Sequence, residues 1–459
     1  MTQTWGGPLE RADPATVGMD AEVLARLTDH LAEQCVEAPA LSLAVARHGS
    51  LVLRTAFGDA LRYRTPPSGG PARLLPPRER IPATPDTLFD LASNTKMFAT
   101  VLALERLVSL GRLDLDRPLV SFPGWELFRD DAVLFTGAWT VGGSGGLTAD
   151  HHGRADVTVR MILQHRAGLL PDPAYHSRDI AGDLWWHRAD PDDRTGIVER
   201  ICRTPLAAAP GTTSCYSDVG FMILGLLVEQ VGGCRLDEYV REEFYDPLGL
   251  VDTTYRPLQA GVPAERLAAT ELEGNTRDST VTFGHLDDGT EVPIRHATIV
   301  GEVHDEKAYA CLGGVSGHAG LFATATDVVR LGGLLLAGGS VGGRDYLDPA
   351  VAREFTRPQS PDPRGADDPT IALGWRRQPP RPGRYVWFPA RANPGSFGHH
   401  GWTGTLTMVD PRADLVIAVL TNLRHSPVVD PPNGFAGQAY EAMDLTAVMA
   451  EVYGSIRDR

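Results

Sequence analysis

A serine and a lysine lie three residues apart in the stretch "LASNTKMFAT", at the start of an apolar helical pattern. Residues with this spacing share one face of a helix, so the Ser93 hydroxyl and the Lys96 amine can touch. Lysine is rare in this chain, since Lys96 and Lys307 are the only lysines among 43 basic residues. A hydroxyl beside an amine at a helix N-terminus, where backbone N–H groups can bind an oxyanion, suits acyl transfer. The pattern therefore predicts Ser93 as nucleophile and Lys96 as base; the alternative is a serine cap with a solvated lysine.

A phenol and a carboxylate stand just before another apolar helical run, in "TSCYSDVGFM". The Tyr216 hydroxyl is a candidate to share a proton with Ser93, and either Ser217 or Asp218 is a candidate helix cap. An ionised Asp218 near Lys96 would favour the ammonium form and weaken the lysine as a base. Asp218 is alternatively protonated, or binds a cationic group of the substrate. The competing interpretation of the whole stretch is a half-buried tyrosine in front of a capped helix.

A third polar stretch, "GSFGHHGWTG", leads into a β pattern. Because side chains alternate along a strand, we expect His399 and Gly401 on one face and His400 on the other. Gly401 would let a substrate backbone lie close, and the Trp402 N–H would join the Ser93 N–H as an oxyanion donor. The alternative is a glycine-rich hairpin with histidines in the core.

The elements that must position these residues follow from hydrophobic periodicity. Two β runs within 42–59 flank a tight turn, and a second hairpin is predicted around the turn at 411–413. The last strand of that hairpin is apolar at consecutive positions, which predicts burial on both faces. Helical patterns fall at 94–110, 157–164, 217–232, 235–245 and 325–338 and in the closing "TAVMAEVYGSIR", with loops at 61–86, 128–156 and 358–383.

These elements predict an α+β fold in which both chain ends build one antiparallel sheet, flanked by N- and C-terminal helices. A mostly helical domain is inserted between the two halves of the sheet. We predict a discontinuous sheet domain formed by 1–92 and 301–459 and a helical domain formed by 93–300. The active site is expected at their junction.

Composition limits the partners. The net charge of −15 argues against nucleic acid or an anionic membrane surface. No apolar run reaches the length of a transmembrane helix, and the N-terminal residues lack the basic and apolar regions of a secretory signal. Five cysteines at unrelated spacings favour reduced thiols, so a cytoplasmic location is expected.

Taken in order, the three motifs resemble the superfamily of serine β-lactamases, penicillin-binding proteins and related esterases, whose signature is S-x-x-K, then Y-x-N, then K-T-G or H-x-G. Surrounding stretches resemble it too, among them "VTVRMILQHRAGLLP", "GEVHDEKAYACLGGVSGHAGLFATATDVVRL" and "LTNLRHSP". They are most similar to the class C-like branch, with penicillin-binding-protein-4-like proteins and family VIII esterases. The resemblance implies a β-lactamase/transpeptidase-like fold with the active site between the sheet and an all-helical domain.

The resemblance also implies roles for individual residues. Ser93 would be the nucleophile, Lys96 its base, and Tyr216 the shuttle that takes the serine proton and protonates the leaving group. His399 would stand where many members have a lysine, and the backbone N–H groups of Ser93 and Trp402 would form the oxyanion hole. A neutral imidazole holds a substrate carboxylate less firmly than an ammonium group does, which counts against an efficient β-lactamase.

Further residues are candidates for substrate binding, with Asp218 at the position where the family usually has asparagine. These candidates are Asp218, His400, Gly401, Trp185 and Trp186, of which the two tryptophans are alternatively core residues. His165 is interpreted as structural. The pairs His151–His152 and His304–Asp305 lack the spacing of a zinc site, so no metal and no cofactor is expected.

The predicted function is that of a serine acyl-enzyme hydrolase acting on an ester or amide of a small molecule. The nearest alternative is a transacylase, in which an amine or alcohol acceptor replaces water. The sequence also leaves open a D,D-carboxypeptidase and a non-catalytic binding protein. Oligomeric state is left open as well.

Overall fold

The computed structural model describes residues 5, 7–129, 153–185, 194–274, 281, 283–292, 295–359, 370–379, 387–431 and 434–458. Its centre is a six-stranded antiparallel sheet that joins both ends of the chain, so the predicted α+β architecture is confirmed. The strands are β1 (Leu41–Arg47), β2 (Ser50–Phe57), β3 (Arg376–Arg377), β4 (Phe397–Gly401), β5 (Thr405–Asp410) and β6 (Leu415–Thr421). Their order across the sheet is β3-β4-β5-β6-β1-β2.

The α-helices are α1 (Ala21–Gln34), α2 (Leu102–Ser109), α3 (Val159–Leu163), α4 (Arg178–Ala181), α5 (Thr195–Arg203), α6 (Asp218–Gly232), α7 (Leu236–Val240), α8 (Asp246–Leu248), α9 (Glu306–Leu312), α10 (Ala325–Leu336), α11 (Pro349–Thr356) and α12 (Leu445–Gly454). A π-helical turn, Lys96–Val101, runs directly into α2, and a second one, Arg241–Tyr245, joins α7 to α8. The helical patterns therefore lie where periodicity predicted them, with ends displaced by a few residues.

The central sheet separates two apolar layers because its middle strands alternate in side-chain size. In β1, Leu41, Leu43 and Val45 contact the layer that contains α1 and α12. The alternate residues Ala44 and Ala46 face the larger core on the other side, where α10 packs on the sheet. Every residue of β6 is buried, as predicted from its uninterrupted apolar sequence.

A small three-stranded sheet carries the chain into the active site. Its strands are Phe89–Asp90, Leu321–Ala323 and Thr253–Tyr255, with the second in the middle. Short two-stranded ladders occupy 59–82, which overlaps the predicted loop at 61–86, and also 269–300, 340–345 and 428–435. The predicted limits of the two domains stay a prediction.

In the described residues, no single helix is both long and apolar enough to span a bilayer. The helix pair Asp218–Gly232 and Leu236–Leu248 would satisfy these criteria jointly, but the two are bent by 70° relative to each other. All five cysteines are free thiols, as the sequence predicted.

Glu105 of α2 is an ionisable residue in the apolar core. It is fully buried, and neither carboxylate oxygen has a hydrogen-bond partner within the part of the chain that the structure describes. Burial raises the pKa of Glu105 well above its ordinary value, against a smaller lowering by the nearby Trp375 indole. Glu105 is therefore protonated when folded and ionises on unfolding at neutral pH.

We expect the substitution Glu105→Gln to increase the free energy of unfolding more at pH 8 than at pH 5. A raised folded-state pKa gives stability that is present at acidic pH and is lost as the pH rises, and glutamine removes that loss. The expected gain in the free energy of unfolding at pH 8 relative to pH 5 is about 1.4 kcal/mol for each pH unit by which folding raises the pKa of Glu105 within this range. Urea unfolding at both pH values measures it, with the exposed Glu451→Gln as control. Equal destabilisation by Glu105→Gln at both pH values would contradict this account.

Candidate active site

Ser93 lies in a tight turn between a short strand and a helix. The turn, Ala92–Asn94, is 3-10 helical and follows the strand Phe89–Asp90. Ala92 has a φ of 46°, which is unfavourable for a residue with a Cβ. The buried Asp90 carboxylate holds this conformation by accepting the Ala92 N–H at 2.8 Å. The strained turn fixes the direction in which Ser93 projects.

A hydrogen-bonded clamp ties the turn to strand β5. The Asn94 amide donates to Thr405 Oγ1 at 2.9 Å, and Thr407 Oγ1 donates to Asn94 Oδ1 at 2.6 Å. Thr405 Oγ1 also donates to the Leu91 carbonyl at 3.1 Å. Since Asn94 and both threonines are buried, the nucleophile turn is rigidly placed against the sheet.

The structure brings the three residues of the first two motifs together. Lys96 Nζ lies 2.9 Å from Ser93 Oγ, and Tyr216 Oη lies 3.0 Å from the same oxygen. Ser93 and Lys96 are on successive turns of one helical segment, whereas Tyr216 stands immediately before α6. Sequence spacing predicted the first contact, whereas the second, for which Tyr216 was a candidate, depends on the fold bringing distant segments together.

Lys96 is an ammonium ion in this site. Its Nζ has three acceptors, Ser93 Oγ, the His318 carbonyl at 3.0 Å and Asp218 Oδ1 at 2.8 Å, which match the three protons of an ammonium group. Burial lowers the pKa of Lys96, but the Asp218 carboxylate and Tyr216 outweigh it and leave the pKa above its ordinary value. An ammonium group cannot take the Ser93 proton, so this charge state argues against the predicted role of Lys96 as an uncharged base.

Asp218 is ionised beside this lysine. Burial raises the pKa of Asp218, but Lys96, His318 and Lys307 lower it further, so the net shift is downward. This direction argues against the alternative of a protonated Asp218. Of the two candidate caps of α6, the structure selects Ser217, whose Oγ accepts the Gly220 N–H at 3.2 Å.

His165 supports Tyr216 from behind, in agreement with its structural interpretation. The imidazole ring lies with its centroid 4.7 Å from that of Tyr216, and its Nδ1 accepts the Ser217 N–H at 3.2 Å. Burial lowers the pKa of His165 well below its ordinary value, so the ring is neutral and can accept this hydrogen bond. The phenol is thus held by packing on one side and by the start of α6 on the other.

The histidines of the third motif are both neutral. Their rings are parallel with centroids 5.2 Å apart, and the placement of the two side chains on opposite faces of β4 stays a prediction. His399 faces Tyr216 at 5.9 Å, and its Nδ1 lies 2.6 Å from the His400 carbonyl. Burial lowers the pKa of His399 well below its ordinary value and that of His400 to about 4.

His400 stacks on Trp387, a residue that the sequence analysis missed. Their ring centroids are 4.3 Å apart and the planes are within 13° of parallel. The Arg376 guanidinium lies over the same tryptophan at 5.3 Å and over the Tyr216 ring at 5.2 Å. Trp387 follows a proline-rich segment without periodicity, so no pattern could have indicated it.

Gly401 is required by the protein's own packing. A Cβ at this position would overlap the Thr405 hydroxyl and the Leu91 carbonyl, so β4 could not approach the nucleophile turn. The close approach of a substrate backbone at Gly401 stays a prediction.

Trp402 follows, with 37% of its surface exposed, and its carbonyl accepts from Arg424 Nε at 3.0 Å. The role of its N–H as an oxyanion donor stays a prediction.

The remaining candidates lie elsewhere or outside the described residues. Trp185 packs against the core and donates from Nε1 to the His176 carbonyl at 3.3 Å. Trp186 and His151–His152 lie outside the described residues. His304 forms a buried pair with Glu271, which makes it a structural residue.

Asp305 instead joins a polar cluster behind Lys96. One oxygen or ring nitrogen from each of Asp218, Asp305 and His318 lies within 4.8 Å of the others, a set that can ligate a metal ion. Lys96 and Lys307 already place two ammonium groups against these carboxylates. The second lysine could have been noticed from composition alone, because the chain has only two.

Comparisons with known proteins agree with this geometry. The profile of the Beta-lactamase family matches residues 28–440. A protein of Salmonella paratyphi B, provisionally named a D-alanyl-D-alanine carboxypeptidase, is 37% identical over 98% of this chain and 94% of its own length.

Two solved structures share the fold at low sequence identity. Simvastatin synthase (LovD) of Aspergillus terreus superposes with a TM-score of 0.63 at 19% identity, covering 98% of this chain and all of that one (100%). EstCE1, a hydrolase with promiscuous acyltransferase activity, superposes with a TM-score of 0.62 at 21% identity, covering 94% of this chain and 99% of that one. The chain belongs to the Beta-lactamase family.

Proposed function

We propose that the chain is a serine acyl-enzyme hydrolase that acts on an ester or amide of a small molecule through Ser93. The observation that carries the proposal is the position of Ser93 Oγ, within 3.0 Å of both the Lys96 ammonium and the Tyr216 hydroxyl. A positive charge and a second hydroxyl at this distance stabilise the negative charge that develops on the attacking oxygen.

Acylation requires one proton to leave Ser93 and one to reach the leaving group. As the Ser93 oxygen bonds to the substrate carbonyl carbon, its proton passes to Tyr216 Oη, which delivers its own proton to the departing oxygen or nitrogen. The ammonium of Lys96 stays charged and steadies both oxygens. In deacylation, water attacks the acyl carbon, a water proton passes to Tyr216, and the tyrosine proton returns to Ser93.

The third motif contributes shape and polarity to the cleft. A neutral His399 faces Tyr216, and the Ser93 and Trp402 backbone N–H groups are the proposed oxyanion donors. Substrate binding by Asp218, His400 and Gly401 remains part of the proposal. A cytoplasmic location is retained as a proposal from composition.

A second candidate function is D,D-carboxypeptidase activity, favoured by the Salmonella relative and its provisional name. In that case the scissile bond is the amide between two D-alanine residues. A third, transfer of the acyl group to an amine or alcohol, uses the same acyl-enzyme and differs only in the second nucleophile.

A partition experiment separates these functions. We expect the protein to hydrolyse p-nitrophenyl butyrate, with butyrate as main product when amines and alcohols are added as acceptors. A butyryl amide or ester as main product would identify a transacylase, and release of D-alanine from a D-alanyl-D-alanine peptide would identify the carboxypeptidase. No turnover of either substrate and no adduct on Ser93 would contradict the proposal.

A further inference from the structure

Both lysines of the chain meet at one carboxylate. Asp218 Oδ1 lies 2.8 Å from Lys96 Nζ, and Asp218 Oδ2 lies 4.0 Å from Lys307 Nζ. The two lysine side chains are 0% and 3% exposed, and Asp218 is 18% exposed. The chain has 41 arginines and two lysines, and both lysines are buried beside the same aspartate.

The contacts form a closed ring around this carboxylate. Lys307 Nζ lies 3.5 Å from Asp305, whose Oδ1 lies 2.8 Å from the His318 ring. The backbone carbonyl of the same His318 accepts from Lys96 Nζ at 3.0 Å. Lys307, which does not touch Ser93, is therefore connected to the nucleophile's lysine along both sides of the ring.

The charges in this cluster depend on Lys307. Three carboxylates, those of Asp172, Asp218 and Asp305, lie within 4.0 Å of Lys307, and Asp172 is in direct contact with it. Without Lys307, these three carboxylates lose the ammonium group that they share, while Lys96 pairs with Asp218. Like charges at close range raise each other's pKa, so the carboxylates would take up protons at a higher pH.

We propose that Lys307 is a positioning residue that keeps Asp218 ionised and divided between two ammonium groups, so that Lys96 stays charged and directed at Ser93. This proposal rests on the proposed function, because it gives Lys307 a part in the same reaction. Lys307 acts through Asp218 and not on the substrate.

Several titratable groups face Lys307, and the effect of the lysine must be separated from theirs. From the elements packed around it they are Asp172, Asp218, Lys96, Asp305, Glu306, Cys311 and His318. Removing the Lys307 charge raises the pKa of Asp218, because Lys307 is among the groups that lower it. The ion pair with Lys96 is then lost as the pH falls, at a higher pH than in the wild type.

The small number of lysines makes a direct test practical. Protein labelled with ¹³C and ¹⁵N on lysine gives two side-chain signals, and Lys307→Arg assigns the remaining one to Lys96. We expect the Lys96 signal of the wild type and of Lys307→Arg to stay constant from pH 9 to pH 4.5. In Lys307→Met, the Lys96 signal should show an inflection within this range, because the pH at which Asp218 takes up a proton rises by about one unit or more.

Activity supplies the second readout. The rate at which a fluorophosphonate probe labels Ser93 is measured as a function of pH. In Lys307→Met we expect the acidic limb of this profile to move to higher pH by the same amount, and in Lys307→Arg to stay where it is in the wild type. Arg26→Met, which removes an exposed positive charge on α1, is the control. Lys307→Gln is the second variant if the methionine protein does not fold.

The outcomes separate the two proposals. A Lys96 signal and an acidic limb that are the same in the wild type and in Lys307→Met or Lys307→Gln would overturn the role of Lys307. An absence of labelling at Ser93 in the wild type at every pH, together with the expected displacement of the Lys96 signal, would overturn the proposed function and leave the charge coupling established.

Discussion

The substitution Ser93→Ala is expected to lower kcat for p-nitrophenyl butyrate by about 10⁴-fold or more, as removal of a nucleophile does in other serine hydrolases. Alanine removes the atom that bonds to the acyl carbon, while the Asn94 clamp and the Asp90 contact that shape the turn do not involve the serine side chain. The melting temperature should therefore stay close to that of the wild type. Steady-state hydrolysis and thermal unfolding together measure the effect.

The matched control for this substitution is Ser121→Ala, which changes an exposed serine outside the residues assigned to the site. It should leave kcat unchanged. Wild-type turnover by Ser93→Ala would remove Ser93 from the reaction, whereas loss of turnover in both variants would indicate a general effect on folding.

The second large effect is expected for Tyr216→Phe, with kcat falling by about 10²–10⁴-fold, the usual contribution of a general acid–base group. The ring stays packed on His165, and Lys96 keeps its bonds to Asp218 and the His318 carbonyl, so only proton transfer is removed. KM should change little. The loss should be greater for an amide than for p-nitrophenyl butyrate, because p-nitrophenolate departs without a proton.

Tyr440→Phe is the control, since the Tyr440 hydroxyl donates to the Glu37 carbonyl at the surface, at 2.7 Å. Equal losses for the amide and the activated ester in Tyr216→Phe would contradict the role of Tyr216 in protonating the leaving group. A retained kcat on both substrates would exclude Tyr216 from proton transfer altogether.

Periodicity and motif spacing predicted much of this molecule correctly. The two hairpins of the central sheet and the helices on either side were predicted because alternation and helical spacing are local properties of sequence. The contact between Ser93 and Lys96 was predicted for the same reason, being set by one turn of helix. Tyr216 was a candidate partner of Ser93 from its own stretch, and the resemblance gave it the role of shuttle, although its approach to Ser93 spans 123 residues of sequence.

The protonation states of the site residues and their close packing could not be predicted from the sequence. The protonation of Lys96 depends on Asp218 at 2.8 Å and on a carbonyl from His318, which lies 222 residues away. Nothing in the sequence indicated that a Cβ at Gly401 would overlap the Leu91 carbonyl and the Thr405 hydroxyl. The parallel rings of His399 and His400, with centroids 5.2 Å apart, form a contact that strand alternation alone does not predict.

The position of the covalent adduct is the most direct test of the central claim. The protein is incubated with a fluorophosphonate probe, digested, and its peptides are analysed by mass spectrometry. The account predicts one adduct per chain, on Ser93, formed slowly in Tyr216→Phe and absent in Ser93→Ala. A stoichiometric adduct on another residue, or undiminished labelling of Ser93→Ala, would contradict it.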